Sequence, residues 1–329
     1  MIARPSRRQI LRYGATATAA SFAAPAIAEA PWPAKPIRIV CSYPPGGLTD
    51  VFARAYGDFI AQKTGQPVVV ENKTGAGGAI GAEQVKNAAA DGCTLLWTNS
   101  TTMIQNKVLF KKLPYDPDKD FALVSWMNAG HLPTIVNKDV PAGNVAEFAE
   151  YARKNKVSMA TYGAGSYSHI VTEMLNQHYG LSMEAVHYRG EGAMWQDVAT
   201  GAVQGASGSY FSAAAVLQTG AGRPIAVPTL VRARKLPDVP TFYEQGLTEK
   251  AFQVRGWVGA AAPSGVSDEI VQRLSDLCVE GGKTERVQKI NETFGIDEAA
   301  RDRVYFKKVM EEEGPVMIEV VKSLHIEPA

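Results

Sequence analysis

The chain has 329 residues, 46% hydrophobic and 20% charged, with 30 glycines and 19 prolines. That length exceeds a typical single domain, and the composition excludes a disordered, coiled-coil or collagen-like polypeptide. Basic residues number 34 against 33 acids, a formal charge of +1; with no lysine- or arginine-rich run, the electrostatic footprint of a nucleic-acid-binding protein is missing.

The first expected element is an export signal. Ser6-Arg7-Arg8-Gln9-Ile10-Leu11-Arg12 precedes an uncharged stretch from Tyr13 to Ala24, and Ala26-Ile27-Ala28 supplies a small-x-small cleavage site. This is the order of a cleavable signal peptide over residues 1–28, and its Ser-Arg-Arg-x-Ile-Leu core is similar to the twin-arginine signals of bacteria. The apolar part is too short to cross a bilayer, which takes ~20 residues. Removing this segment takes away four arginines and no acid, so the mature chain is mildly acidic. Arg38-Ile39-Val40 ahead of Cys41 lacks the small residues of a lipoprotein site, so a periplasmic destination is expected.

Past the signal, Ile37 to Ser42 reads as a strand, Pro44-Pro45-Gly46-Gly47 as a tight loop, and Phe52, Ala55, Tyr56, Phe59 and Ile60 fall at helical spacing. A strand over Val68–Glu71, a helix over Ala79–Ala90 and a strand over Thr94–Trp97 follow. The pattern restarts after Pro133 with helix Val145–Asn155, strand Ser158–Tyr162, helix Tyr167–Tyr179, strand Ala185–Tyr188 and helix Ala193–Thr200. A strand over Gln253–Ala261 and helices near Asp268–Val279, Arg286–Phe294 and Asp302–Leu324 complete it. Such alternation predicts α/β lobes built on parallel sheets, with boundaries at 29–133 plus 252–329 for one lobe and 134–251 for the other.

Three cysteines, Cys41, Cys93 and Cys278, are too few for a disulfide scaffold, and no Cys-x-x-Cys is present. Cys41 ends one predicted parallel strand and Cys93 begins another, beyond disulfide reach, so buried free thiols are expected.

Two strand-to-helix corners carry the candidate chemistry. Tyr43-Pro44-Pro45-Gly46-Gly47-Leu48-Thr49-Asp50 brings free backbone amides and a helix dipole to a loop whose glycines permit close approach by an anion. A strained turn capped by Thr49 or Asp50 is the competing reading. Tyr162-Gly163-Ala164-Gly165-Ser166-Tyr167-Ser168-His169 repeats the arrangement with hydroxyls in the first helical turn. Ser166 serves there as a helix cap or as a carboxylate contact. Ser168 beside His169 invites a nucleophile reading, but neighbouring helical residues point about 100° apart and no Gly-x-Ser-x-Gly is present. The five histidines show no metal-ligand spacing. Gly75-Ala76-Gly77-Gly78 opens a helix after a strand, yet the third glycine of a dinucleotide fingerprint falls on Ile80. Close helix packing explains these glycines better, and no cofactor is expected.

Lys35-Pro36-Ile37-Arg38-Ile39-Val40, Tyr43-Pro44-Pro45-Gly46-Gly47 with Thr49-Asp50, Gly65 through Lys73, Gly75 through Gly78, Asp91-Gly92-x-Thr94-Leu95-Leu96, Lys112 through Pro117, Tyr188-Arg189-Gly190 and Leu236 through Thr241 together resemble the Bug family. Members of that family are periplasmic solute receptors of tripartite tricarboxylate transport systems. The resemblance covers nearly all of the mature chain. It implies a type II periplasmic-binding-protein fold, two α/β lobes with a ligand cleft between them, closing on a small mono- or dicarboxylate, aromatic ones included. It also implies membrane transporter subunits as partners and a monomeric receptor that is not an enzyme.

The family grip on one carboxylate maps onto Tyr43, Pro45, Gly46, Gly47 and Thr49 and onto Gly163, Ala164, Gly165, Ser166, Ser168 and His169. Tyr188 joins the expected ligand contacts, and Trp97, Asn99, Ser100, Thr101, Trp126 and Trp257 are candidates to line the far end of the ligand, against the commoner role of a strand aromatic as core. The chain departs from the family at Cys41-Ser42 and Cys93, and Val203 through Tyr210 lacks the acidic residue frequent in that strand. A soluble enzyme acting on a carboxylate and a receptor feeding a membrane sensor are the alternatives.

Overall fold

The computed structural model describes residues 32–253, 256–324 and 326–328, so the expected export signal lies outside the described residues. The first half alternates strand and helix as β1 (Ile37–Cys41), α1 (Leu48–Thr64), β2 (Val68–Asn72), α2 (Ala79–Lys86) and β3 (Thr94–Asn99). A π-helical turn, Thr101–Gln105, leads into α3 (Asn106–Leu109), and β4 (Phe121–Asn128) follows. The chain then builds β5 (Thr134–Asn137), α4 (Val145–Lys154), β6 (Ser158–Thr161), α5 (Tyr167–Tyr179), β7 (Glu184–His187), α6 (Glu191–Thr200), β8 (Gly205–Ser207), α7 (Ala214–Gln218) and β9 (Gly222–Ala226). It returns through β10 (Trp257–Pro263) and ends with α8 (Asp268–Gly281), α9 (Glu285–Phe294) and α10 (Arg303–Ser323).

Two five-stranded sheets result, in the orders β2-β1-β3-β10-β4 and β7-β6-β8-β5-β9. In the first, β10 runs antiparallel between β3 and β4; in the second, β5 runs antiparallel between β8 and β9. The chain therefore passes between the sheets twice, after β4 and before β10, and the fold is the expected pair of α/β lobes of a type II periplasmic binding protein.

Alternation along each strand divides the first lobe's core between the two faces of its sheet. Ile37, Ile39, Leu95, Trp97, Val258 and Ala260 pack with residues of α1, α8 and α9. Val40, Leu96, Trp257 and Ala261 pack with residues of α2 and α10. Trp97, Trp126 and Trp257 are at most 2% exposed, so they fill the core and do not wall a cleft. Cys41, Cys93 and Cys278 are buried free thiols. Cys41 pairs across β1–β3 with Trp97 and Arg38 with Thr94, which leaves Cys93 about four residues, or roughly 13 Å, away along the sheet.

Several elements differ from the sequence pattern. The helix at Ala79 stops at Lys86, because the Asn87 side chain bonds back to the Glu83 carbonyl at 3.0 Å. Strand β10 starts at Trp257, four residues later than expected. Strands β4 and β5 carry no alternation to read: both are largely buried on both faces. No described helix is long and apolar enough to cross a membrane.

Candidate functional site

The first corner is built around a carboxylate. Asp50, 3% exposed, accepts hydrogen bonds from the Gly46 amide at 2.9 Å, from Arg54 Nη2 at 2.8 Å and from Asn72 Nδ2 at 2.8 Å. Burial alone would raise its pKa, but the bonds from Arg54, Gly46 and Asn72 hold it below the usual carboxylate value. Asn72 Nδ2 also reaches the Tyr43 carbonyl at 3.0 Å. Both ends of the loop are thereby fixed while Pro45, Gly46 and Gly47 stay exposed. Gly46 needs its glycine, with φ +82°. Gly47 precedes α1 as its cap without a side chain to fill that role, so the first-turn amides receive no side-chain cap there. A Cβ on Gly47 would meet only the Pro44 carbonyl, at 3.7 Å; that side of the loop is open. Thr49 lies buried at 7% exposure.

Tyr43 closes the corner. Its hydroxyl donates to Asn99 Oδ1 at 2.7 Å and lies 3.1 Å from Thr102 Oγ1 and 3.3 Å from the Gly77 carbonyl. Gly77 O also accepts from Thr102 Oγ1 at 2.9 Å and Asn106 Nδ2 at 3.0 Å. The glycine loop that resembled a dinucleotide site thus supports the corner: a Cβ on Gly78 would stand 2.2 Å from Thr102 Oγ1. Burial pushes the Tyr43 phenol up to about 12, so it stays a neutral donor. Asn99 Oδ1 also accepts from the Thr101 amide, and Ser100 Oγ accepts from Gln105 Nε2.

In the second corner the hydroxyls face inward. Ser166 Oγ donates to the Gly163 carbonyl at 2.6 Å, accepts from the His169 amide at 3.4 Å as the cap of α5, and lies 3.0 Å from Ser168 Oγ. Ser168 Oγ accepts from the Tyr162 amide at 3.2 Å. His169 Nδ1 accepts from the Gly165 amide at 3.0 Å, which places the ring proton on Nε2. Burial first, and then the His187 ring at 4.7 Å, lower its pKa to about 4. Ser168 and His169 share no hydrogen bond among the described contacts, so the nucleophile reading gains no geometry. Gly163 and Ala164 remain partly or fully exposed at the tip.

The lobes meet beside this corner. Gly165 has φ +68°, and a Cβ there would stand 2.4 Å from Leu109 Cδ1 in α3. Phe211 stacks on Phe294 at 4.0 Å, and Gln177 Nε2 donates to the Ser323 carbonyl at 3.0 Å. Both corners follow the carboxyl ends of their strands, β1 and β6, the edge where α/β sheets take ligands. Tyr188, the first residue past β7, donates to Asp197 Oδ2 at 2.6 Å.

Sequence reasoning passed over Tyr162, Glu191 and the support set of Asn72, Thr102 and Asn106. Tyr162 had a signal: it follows β6 as Tyr43 follows β1. Burial first, then the Glu191 charge, raise its phenol, and the amides of Tyr167 and Ser168 act against them. Among the described residues no cluster of three or more histidines, cysteines or acids is placed to hold a metal.

BugT of Bordetella pertussis is 32% identical over 259 residues, 78% of this chain and 78% of that protein. The solved structure of Rpa4515 from R. palustris, with adipate, superposes with a TM-score of 0.80 at 27% identity, covering 91% of this chain and all of the other. MatC from Rhodopseudomonas palustris, with bound malate, gives 0.77 at 30% identity over 88% of this chain and 99% of its own. The model of the tripartite tricarboxylate transporter family receptor matches residues 52–325, and with that match this chain belongs to that receptor family.

Proposed function

We propose that the protein is a periplasmic receptor that holds a small organic carboxylate between its lobes and delivers it to the membrane subunits of a tripartite tricarboxylate-type transporter. The observation that carries this reading is the pair of glycine-bearing corners at the carboxyl ends of β1 and β6, with the second seated against α3 of the other lobe. A carboxylate leaving water needs several donors, and a helix start offers only a few, so two corners suit it better than one. Tyr43, Pro45, Gly46, Gly47, Thr49, Asn99 and Ser100 serve from residues 29–133 with 252–329, and Gly163 through Ser166, Ser168, His169 and Tyr188 from residues 134–251. Adipate on Rpa4515 and malate on MatC support the carboxylate class. The receptor acts as a monomer.

A ligand bound only by the folded state adds RT ln(1 + [L]/Kd), about 2.7 kcal/mol at a hundredfold excess over Kd, or roughly 5 °C for a chain of this size. A melt over a library of organic acids and nucleotides is expected to give such a shift with an acid. Shifts from nucleotides alone would replace this reading with a nucleotide-binding one. Export is assigned to the twin-arginine route through Arg7 and Arg8. Changing both to lysine is expected to hold precursor in the cytoplasm, and unchanged periplasmic yield would exclude that route.

A further inference from the structure

This inference deepens the reading just given and rests on it. Strands β6, β7 and β8 end side by side at Thr161, His187 and Ser207, so Tyr162, Glu191 and Ser209 belong to the segments leaving one sheet edge, the ligand-facing edge of such folds. Glu191 is the first residue of α6, after Gly190 with φ +113°. Its carboxylate accepts from the Ser209 amide at 2.9 Å and from the Ser209 hydroxyl. It makes no ion pair among the described residues. Gly208 makes the room: a Cβ there would stand 3.0 Å from Glu191 Oε1. A backbone amide and a hydroxyl aimed at one carboxylate, at the first turn of a helix, are the parts of a carboxylate subsite. Here a side chain of the protein itself fills it.

We propose that Glu191 occupies the place a second ligand carboxylate would take, and so selects a monocarboxylate whose far end carries a hydrogen-bond donor, an ammonium or hydroxyl group, over a dicarboxylate. A second negative charge arriving within several ångströms of Glu191 meets a fixed like charge and finds the Ser209 donors already used. The discrimination this produces is on the order of 10- to 100-fold in Kd. A donor at the same place meets an acceptor with free lone pairs.

Calorimetry on the full-length mature protein tests this with matched acids: succinate, glutarate, adipate and terephthalate, each against the same acid with one carboxylate replaced by an aminomethyl or hydroxymethyl group. The wild type is expected to bind the monocarboxylate series at least ~10-fold tighter than the dicarboxylates. Glu191→Gln, which keeps an acceptor for Ser209, is expected to erase most of that ratio, and Glu191→Ala, which frees the Ser209 donors, to turn it toward dicarboxylates. Circular dichroism checks that both variants are folded. Equal binding of the two series by the wild type, or an unchanged ratio in folded Glu191→Gln, overturns the assignment and leaves the carboxylate receptor standing. Failure of every acid in both series to bind would sink the carboxylate reading along with it.

Discussion

Gly165 offers a way to separate lobe closure from folding. Substitution by alanine has two effects. Holding a non-glycine residue at φ +68° costs roughly 1 to 2 kcal/mol wherever the lobes lie, because the strain is local. The new methyl would also stand 2.4 Å from Leu109 Cδ1, 2.8 Å from Cδ2 and 3.1 Å from Cγ, well inside the ~3.5 Å of ordinary carbon contact. Overpacking of this kind costs about 1 to 3 kcal/mol, and it acts only when the corner and α3 are together. The local strain lowers stability in both states, while the clash lowers affinity by about 5- to 150-fold. Leu109→Ala in the same chain removes the clashing atoms and is expected to recover most of the lost affinity but none of the lost stability. Calorimetry on the single and double variants, with urea melts of the ligand-free proteins, reads the two effects separately. Gly165→Ala that is folded yet binds within about twofold of the wild type would refute the reading that the ligand-bound state keeps this corner seated against α3.

Gly47→Val is expected to leave the melting temperature nearly unchanged, since Gly47 sits at φ −76° with open space beside it, and to weaken acid binding at least ~10-fold by filling the approach to the α1 amides; full binding by calorimetry would remove that loop from the site. His169 gives a pH dependence. Its folded pKa of about 4 lies below an unfolded value near 6.5, so the unfolded state takes up the proton first. Its contribution is complete above pH 6.5 and is lost as the pH falls toward 4, up to roughly 3 kcal/mol. Urea midpoints across that range are expected to flatten in His169→Gln, which keeps an acceptor for the Gly165 amide, and an identical slope in the variant would reassign the titration to other groups.

The corners were legible because glycines between a strand run and a helix leave few backbone solutions. Ser166 was legible too, as the serine that opens α5. What sequence could not supply was the direction of the side chains. Ser166 and Ser168 turn their hydroxyls into the corner because the Gly163 carbonyl and the Tyr162 amide lie within reach, and no spacing rule encodes that. Asp50 and Asn72 stand 22 residues apart and meet only because β2 pairs with β1. Glu191 and Ser209 meet for a similar reason, at the ends of strands on either side of β6. The tryptophans Trp97, Trp126 and Trp257 followed the usual fate of aromatics in doubly covered strands.

The most direct test is a crystal structure of the protein with the acid that stabilises it most. A ligand carboxylate is expected between the Tyr43–Thr49 loop and the Gly163–His169 corner, within hydrogen-bond distance of amides from both lobes or of waters they hold. A carboxylate bound to one lobe alone, or at a surface remote from both corners, would contradict the account.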